Sequence, residues 1–306
     1  MRVPGPPSAV LCEYETWLAD ERGLVASTIG NHLRWARRWL EWLEADGGSL
    51  GQASAGQVGR FVAQTAAGCA SVGTAKTMVV SLRVFLRCAF ARGWTGADLR
   101  GAVPRVACWR GAQIAKALPA GVVDRLVGCH DLGTAQGLRD RAVVLLLARL
   151  GLRRIEVARL VLADVDWRAG AVTVTGKGGA RDRLPLPGEV AEALAAYVMG
   201  GRPGGLGDAV FFTVWPPVKP ITPQVVSSLV RAAAQRCGLE GVGPHRLRHT
   251  LASQMLRAGA GLEAVGQVLR HKDLSSTSVY AKIDLARLGR LAPLWPEAAD
   301  DRGADR

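Results

Sequence analysis

The apolar positions of this chain change period along its length. From Ser27 the segment STIGNHLRWARRWLEWLEADGG sets Leu33, Trp35, Trp39, Leu40, Trp42 and Leu43 at helical spacing, behind a serine suited to a cap and ahead of a Gly-Gly stop. A second helix is predicted near 55–66. A third, over 74–92, turns Val79, Leu82, Phe85 and Leu86 inward and carries Lys76, Arg83 and Arg87. Residues 10–100 therefore read as an all-helical, amphipathic bundle with a basic side. Periodicity fails in GAVPRVACWRGAQIAKALP (101–119), which has proline near both ends and reads as a linker. Helices are predicted again over 120–129, 137–150 and 155–162. The period then drops to two, because AVTVT, the turn GKGGA and RDRLPLP form a hairpin pattern. Helices resume from Glu189, and a polar tail begins at Pro296. The expected class is α+β, mainly helical: an N-terminal four-helix-type bundle (1–102), a linker (103–119), a mixed helical domain with a small antiparallel sheet (120–295), and a tail (296–306).

Length and composition fit this picture. With 306 residues, 49% of them apolar, the chain can bury two modest cores. Its 39 basic and 26 acidic residues leave a net charge of +13, which attracts polyanions and makes nucleic acid the obvious partner. The excess is shared, +4 over 1–107 and +9 beyond, so both halves are able to touch one long anion. Arg34, Arg38, Lys76, Arg83 and Arg87 are candidate contacts to DNA. The tryptophans between these arginines are most simply core, the alternative being platforms for stacked bases. Cys12, Cys69, Cys88, Cys108, Cys129 and Cys237 are scattered, without a zinc-ligand spacing, and read as reduced, mostly buried thiols. The most apolar run, Ala142 to Ala148, is too short to span a membrane, and the N-terminus has no signal-peptide stretch, so a soluble, cytoplasmic, nucleoid-associated protein is expected, with no cofactor and no metal.

The chemistry-bearing residues gather late in the chain. In PHRLRHT, His245 and Arg248 lie three apart, so on a helix both leave one face and converge on one small anion. In LRHKDLSSTSVYAKI, His271 precedes Tyr280, and Ser275, Ser276 and Thr277 resemble a helix start that would hold the phenol at a fixed distance. A phenol can serve as nucleophile. Three of the five histidines fall within 27 residues, and His249 is the one read as structural. Upstream, Arg153 follows Gly151 and Leu152 at the mouth of a helix, and Lys177 occupies a glycine-rich tip able to approach a DNA backbone. Taken singly, each has a plain alternative: surface charge for Arg153 and Arg154, a solvated turn for Lys177, a core residue for Tyr280.

Together these segments resemble the tyrosine recombinases, or phage-type integrases, and most closely the compact group of bacterial Xer recombinases. GLRRIE resembles the family's first-arginine box, TGKGGARDRLPLP its lysine hairpin, HRLRHT its histidine-arginine helix, and LRHKDLSSTSVY its final histidine and nucleophile. The resemblance implies that Arg153 and Arg248 hold the scissile phosphate, Lys177 acts as general acid, His245 assists proton transfer, His271 donates a hydrogen bond and Tyr280 attacks. Glu156 would orient and support this set rather than react. The bundle would be the core-site binding domain, clamping duplex DNA with the catalytic domain. Leu285, Leu288, Leu291, Leu294 and Trp295 would form a short helix that docks on a neighbouring protomer or folds back.

Two positions depart from the family. Arg270 stands where Leu-Gly-His is usual, which asks for a right-handed backbone or a tolerated strain. Arg154 stands beside Arg153, and Arg153 is preferred because it follows Gly-Leu. The expected function is site-specific recombination through a 3′-phosphotyrosine, by a homotetramer on double-stranded DNA sites, with or without a partner recombinase. Alternatives are a type IB topoisomerase, disfavoured by the short bundle, and a non-catalytic DNA-binding derivative, disfavoured because all six candidates are present.

Overall fold

The computed structural model describes residues 7–106, 117–176 and 179–270. They fall into two compact units, one within Met1–Arg110 and the other within Gly111–Arg306. The mainly helical α+β class holds.

The first unit contains α1 (Pro7–Asp20), α2 (Ala26–Ala45), α3 (Ala55–Ala67) and α4 (Val72–Ala91). Helix α2 begins one residue before the expected serine: Val25 is the N-cap and makes no side-chain cap bond, so Ser27 lies inside the first turn. Ser54 and Ser71 do cap α3 and α4, accepting from the amides of Gln57 and Thr74. The core is aromatic: Trp39 is edge-on to Phe61 and Tyr14 edge-on to Phe85. Trp35 and Trp39 are buried, and Trp42 packs on the same cluster with its indole N–H on Gln64, so none of the three is an open stacking platform.

The second unit is built round α6 (Ala135–Arg149). Residues Ala142 to Leu147 are almost completely buried on every side. A helix apolar all round must be surrounded. Here α5 (Val122–Gly128), α7 (Arg154–Ala158), α8 (Gly188–Gly200), α9 (Pro223–Arg236) and α10 (Pro244–Arg257) all pack against it. Helix α7 is shorter than the predicted 155–162. Its chain leaves the helix because Val161 forms an antiparallel bridge with Ala209 and the Leu162 amide donates to Asp208. The sheet has three antiparallel strands in order, β1 (Val165–Asp166), β2 (Ala171–Thr175) and β3 (Arg181–Pro185). The hairpin pattern corresponds to β2 and β3, in register from Ala171↔Pro185 to Thr175↔Arg181. The two-residue β1 carries too short a period to stand out in sequence. Finally, α11 (Leu262–Val268) is joined to α10 by a small cluster of Ala252, Leu256, Val265 and Leu269.

The thiols differ from expectation. Among the described cysteines only Cys88 is buried; Cys12 is exposed, and Cys69, Cys129 and Cys237 are half-buried at or just past the ends of α3, α5 and α9, packed against the edges of the cores. Cys108 lies outside the described residues, as does most of the expected linker. No helix among the described residues is long and apolar enough to cross a membrane.

One glycine in the second unit is required by space. A Cβ on Gly137, in the first turn of α6, would stand 1.8 Å from the carbonyl oxygen of Asp131. Gly137→Ala is expected to destabilise the protein by about 1–3 kcal/mol through the forced backbone shift, read as a lower midpoint in urea denaturation followed by far-UV circular dichroism.

Candidate active site

The first-arginine segment is arranged by backbone geometry. Gly151 has φ +58, a region L side chains rarely adopt, and a Cβ there would come within 2.8 Å of Leu269 and 3.0 Å of Leu251. Only glycine lets the chain turn out of α6 while lying against that pair of leucines. Two residues on, Arg153 is the N-cap of α7. Glu156, one turn along and 2% exposed, reaches back so that its carboxylate accepts from the Arg153 amide at 2.7 Å and from Arg153 Nη1 at 2.7 Å. Arg153 Nη2 donates to the carbonyl of Arg270 at 3.1 Å, which aims the guanidinium while its side chain stays 34% exposed. Arg154, beside it, is exposed, and among the described residues its hydrogen bond is to a hydroxyl, with Nη1 3.3 Å from Ser227 Oγ.

Helix α10 supplies the second pair. Pro244 occupies its first position, so the missing amide hydrogen costs nothing there. Arg248 is buried, and its two terminal nitrogens donate to the carbonyls of Gly151 and Leu269. The same glycine that permits the turn thus also receives the second arginine. His245, one turn earlier, is open to solvent on the same face. Partial desolvation, and then the charges of Arg154, Arg248 and Arg153, hold its pKa below the ordinary imidazole value. His249 is half-buried; desolvation first, then His245 and Arg248, lower its pKa as well.

The turn after α11 closes the site. Arg270 adopts φ +52, the strained alternative of the two its sequence position left open. Its buried guanidinium places Nη2 2.6 Å from Glu156 Oε2, and Nε 3.8 Å from Asp182 on β3. Burial pulls its pKa down, and Glu156 works against that pull. Arg153, Arg248, His245 and Glu156 are therefore brought together from separate segments. Lys177, His271 and Tyr280 lie outside the described residues, as do the segments after Tyr280. Strands β2 and β3 bracket Lys177 on either side, with the Gly176 amide donating to Ala180.

In the first unit, Arg34, Arg38, Lys76 and Arg87 are exposed; Arg38 lies over the Trp35 ring, and Lys76, Arg83 and Arg87 share one face of α4. Arg83 is half-buried and tied down, its Nη2 donating to the carbonyls of Val103 and Pro104. Sequence reasoning missed the part played by Arg270 and Asp182. Arg270 showed locally as a departure from the family and Asp182 not at all, and their partnership joins positions 88 apart in the chain.

Comparison with known proteins agrees with this layout. The Phage integrase family profile matches residues 116–287, and the phage integrase N-terminal SAM-like domain matches residues 11–93. The chain belongs to the phage integrase family. It is 41% identical over 300 residues to an integrase/recombinase of Sinorhizobium fredii, spanning 96% of this chain and 73% of that protein. It is 30% identical to the tyrosine recombinase XerD of Corynebacterium glutamicum, over 88% of this chain and 92% of the relative. In fold it resembles the XerH site-specific recombinase bound to its palindromic difH substrate, with TM-score 0.70 and 17% identity over 95% of this chain and 85% of that one. It also resembles residues 75–356 of lambda integrase, solved as a dimer on a COC′ core site, with TM-score 0.66 and 18% identity over 87% and 95% of the two chains. As a tyrosine recombinase, this protein is a DNA-cleaving and rejoining enzyme of site-specific recombination.

The lowered histidine pKa values have a defined sign. Folding favours neutral His245 and His249, so the stability they contribute is present above the ordinary imidazole pKa, about 6.5, and is lost as pH falls through and below it. An NMR titration is expected to place both midpoints below that of a free imidazole, with the rings neutral at pH 7.

Proposed function

We propose that this recombinase breaks one DNA strand by attack of Tyr280 on a phosphate held by Arg153 and Arg248. The observation that carries the proposal is the convergence of two guanidiniums, one from the mouth of α7 and one from α10, each aimed by backbone carbonyls and with His245 beside them. Guanidinium forks match phosphate oxygens bidentately and keep their charge at any physiological pH, so they stabilise the charge that grows on the phosphorus oxygens in the transition state. The two are also held differently. Arg248 is sunk in the protein with both terminal nitrogens on carbonyls, while Arg153 is partly open, which suits a fixed floor and an accessible edge.

In this mechanism the Tyr280 oxygen forms a bond to phosphorus as the bond to the 5′ oxygen breaks. Lys177, at the tip between β2 and β3, gives its proton to that leaving oxygen. The neutral imidazole of His245 is suited to accept the phenolic proton, and His271 donates a hydrogen bond to the phosphate. The product is a 3′-phosphotyrosine and a free 5′ hydroxyl. Rejoining reverses the step with a 5′ hydroxyl as nucleophile, and since the ester bond is conserved, no ATP is consumed.

The partner is double-stranded DNA bearing recombination sites. It is bound by Arg34, Arg38, Lys76 and Arg87 of the core-site domain (1–102) together with the catalytic domain (120–295), with Arg83 at the rim securing the start of the linker (103–119). Strand exchange takes place in a homotetramer, inside the cell and on the nucleoid. What supports a recombinase over a DNA-relaxing enzyme is the similarity to integrases and Xer proteins along almost the whole chain.

The test uses wild type and variants incubated with fragmented cellular DNA, denatured, and analysed by sequencing the covalently attached strands. Wild type is expected to yield adducts enriched at one sequence, and Tyr280→Phe to yield none while still binding DNA. Adducts from the wild type without enrichment would favour the topoisomerase reading. Arg153→Ala is expected to slow adduct formation about 10²–10³-fold, whereas Arg154→Ala leaves it close to wild type; the reverse order would move the phosphate ligand to Arg154. Lys177→Ala is expected to slow cleavage about 10²-fold or more, and an unchanged rate would remove it from the acid role.

A further inference from the structure

Three facts about one turn belong together. The carbonyls of two successive residues, Leu269 and Arg270, receive a hydrogen bond from Arg248 and from Arg153 respectively, so this turn sets the direction of both guanidiniums. At its second residue the backbone is left-handed, φ +52, a conformation that an arginine does not adopt without being held there. The holding contact is the side chain of Arg270, which is 7% exposed and ends on Glu156 Oε2 at 2.6 Å. Glu156 is in turn the carboxylate that fixes Arg153 through its amide and Nη1.

We propose that Arg270 is a positioning residue for the recombination reaction: by anchoring the 269–270 turn to Glu156, it fixes the two carbonyls that orient Arg153 and Arg248. The proposal rests on those two arginines being the phosphate ligands. Leu269 pins the other side of the turn, fully buried in the α10–α11 cluster and against Gly151. The turn is thus clamped from below by apolar packing and from the side by an ion pair. Arg270 also faces the lysine hairpin. Its Nε is 3.8 Å from Asp182 Oδ2, and among the described residues Nε and Nη1 have no hydrogen-bond partner. On β3 the flanking Arg181 and Arg183 turn the other way, to Asp164 and Asp166, which leaves Asp182 as the acidic group of that strand directed at Arg270. One guanidinium thereby links the first-arginine segment, the strand that follows Lys177, and the backbone entering His271.

Arg270→Gly separates this role from a purely structural one. Glycine adopts φ +52 freely, so the backbone is permitted and the left-handed strain is gone, while the anchor to Glu156 is lost. The full-length variant is expected to fold, by circular dichroism. Its Arg153 and Arg248 side-chain N–H resonances, assigned by comparison with the single arginine variants, are expected to shift or broaden. Adduct formation on the fragmented cellular DNA is expected to fall about 10²-fold, the scale of a misplaced reacting group, with binding to a random duplex unchanged. Arg270→Lys, which keeps the charge but not the fork, should fall between glycine and wild type. Folded Arg270→Gly with wild-type resonances and a wild-type adduct rate would overturn the proposal. If Arg270→Gly did not fold, Arg270→Lys would carry the same comparison. If wild type formed no adduct, the functional reading would fail, and the resonances alone would decide whether Arg270 orients the two arginines.

Discussion

Glu156 is the group on which the site depends. A carboxylate that is almost wholly withdrawn from water is costly unless its oxygens are satisfied, and here each oxygen faces a guanidinium, with the Arg153 amide sharing one of them. The stability supplied by such a pair is small compared with the penalty of breaking it, about 3–5 kcal/mol when one partner of a buried pair is removed. Its value is geometric. By holding Arg153 at the mouth of α7 and Arg270 in the turn after α11, one side chain brings two segments that are 117 residues apart into a fixed relation.

Around that carboxylate the fold supplies rigidity in layers. The stretch Ala142 to Leu147 of α6 is enclosed on all sides, so Gly151, two residues beyond the helix end, is a fixed point at which the chain can turn. Gly151 meets the leucines of α10 and of the final turn, and its carbonyl takes Arg248. Arg248 then lies across the junction of α6, α10 and the turn after α11. The local excess of positive charge is a consequence: Arg153, Arg248 and Arg270 converge where, among the described residues, Glu156 and the more distant Asp182 are the acidic partners. Such a place favours an anion with several oxygens, and desolvation first, then the charges of Arg154, Arg248 and Arg153, lower the His245 pKa there.

The histidines illustrate how electrostatics and role are connected. His245 and His249 are four residues apart on α10, both held below the usual pKa, yet only His245 is open to solvent beside the arginines. Position along one helix face separates an imidazole that is open to solvent from one that is partly packed away.

Much of this protein was legible in its sequence, because the signals are local. The 3.6-residue period of Trp35, Trp39 and Leu43 specifies an inward face wherever the helix lies, and the two-residue period of AVTVT specifies a strand. The spacing of His245 and Arg248 places them on one face before any packing is known. Boundaries were less clear: α7 ends early because Val161 finds a bridge partner at Ala209, 48 residues away, and β1 exists only because β2 lies beside it. The choice between Arg153 and Arg154 was not local either. Both follow the same glycine, and their difference in surroundings is tertiary: among the described residues Arg153 meets the carboxylate of Glu156 and the carbonyl of Arg270, while Arg154 hydrogen-bonds a hydroxyl. Arg270 is the clearest case. In sequence it is a departure that left two backbone conformations open, and only the arrival of Glu156 and Asp182 from other segments makes the left-handed one the conformation that can be held, since a strained backbone persists only where long-range contacts outweigh its local cost.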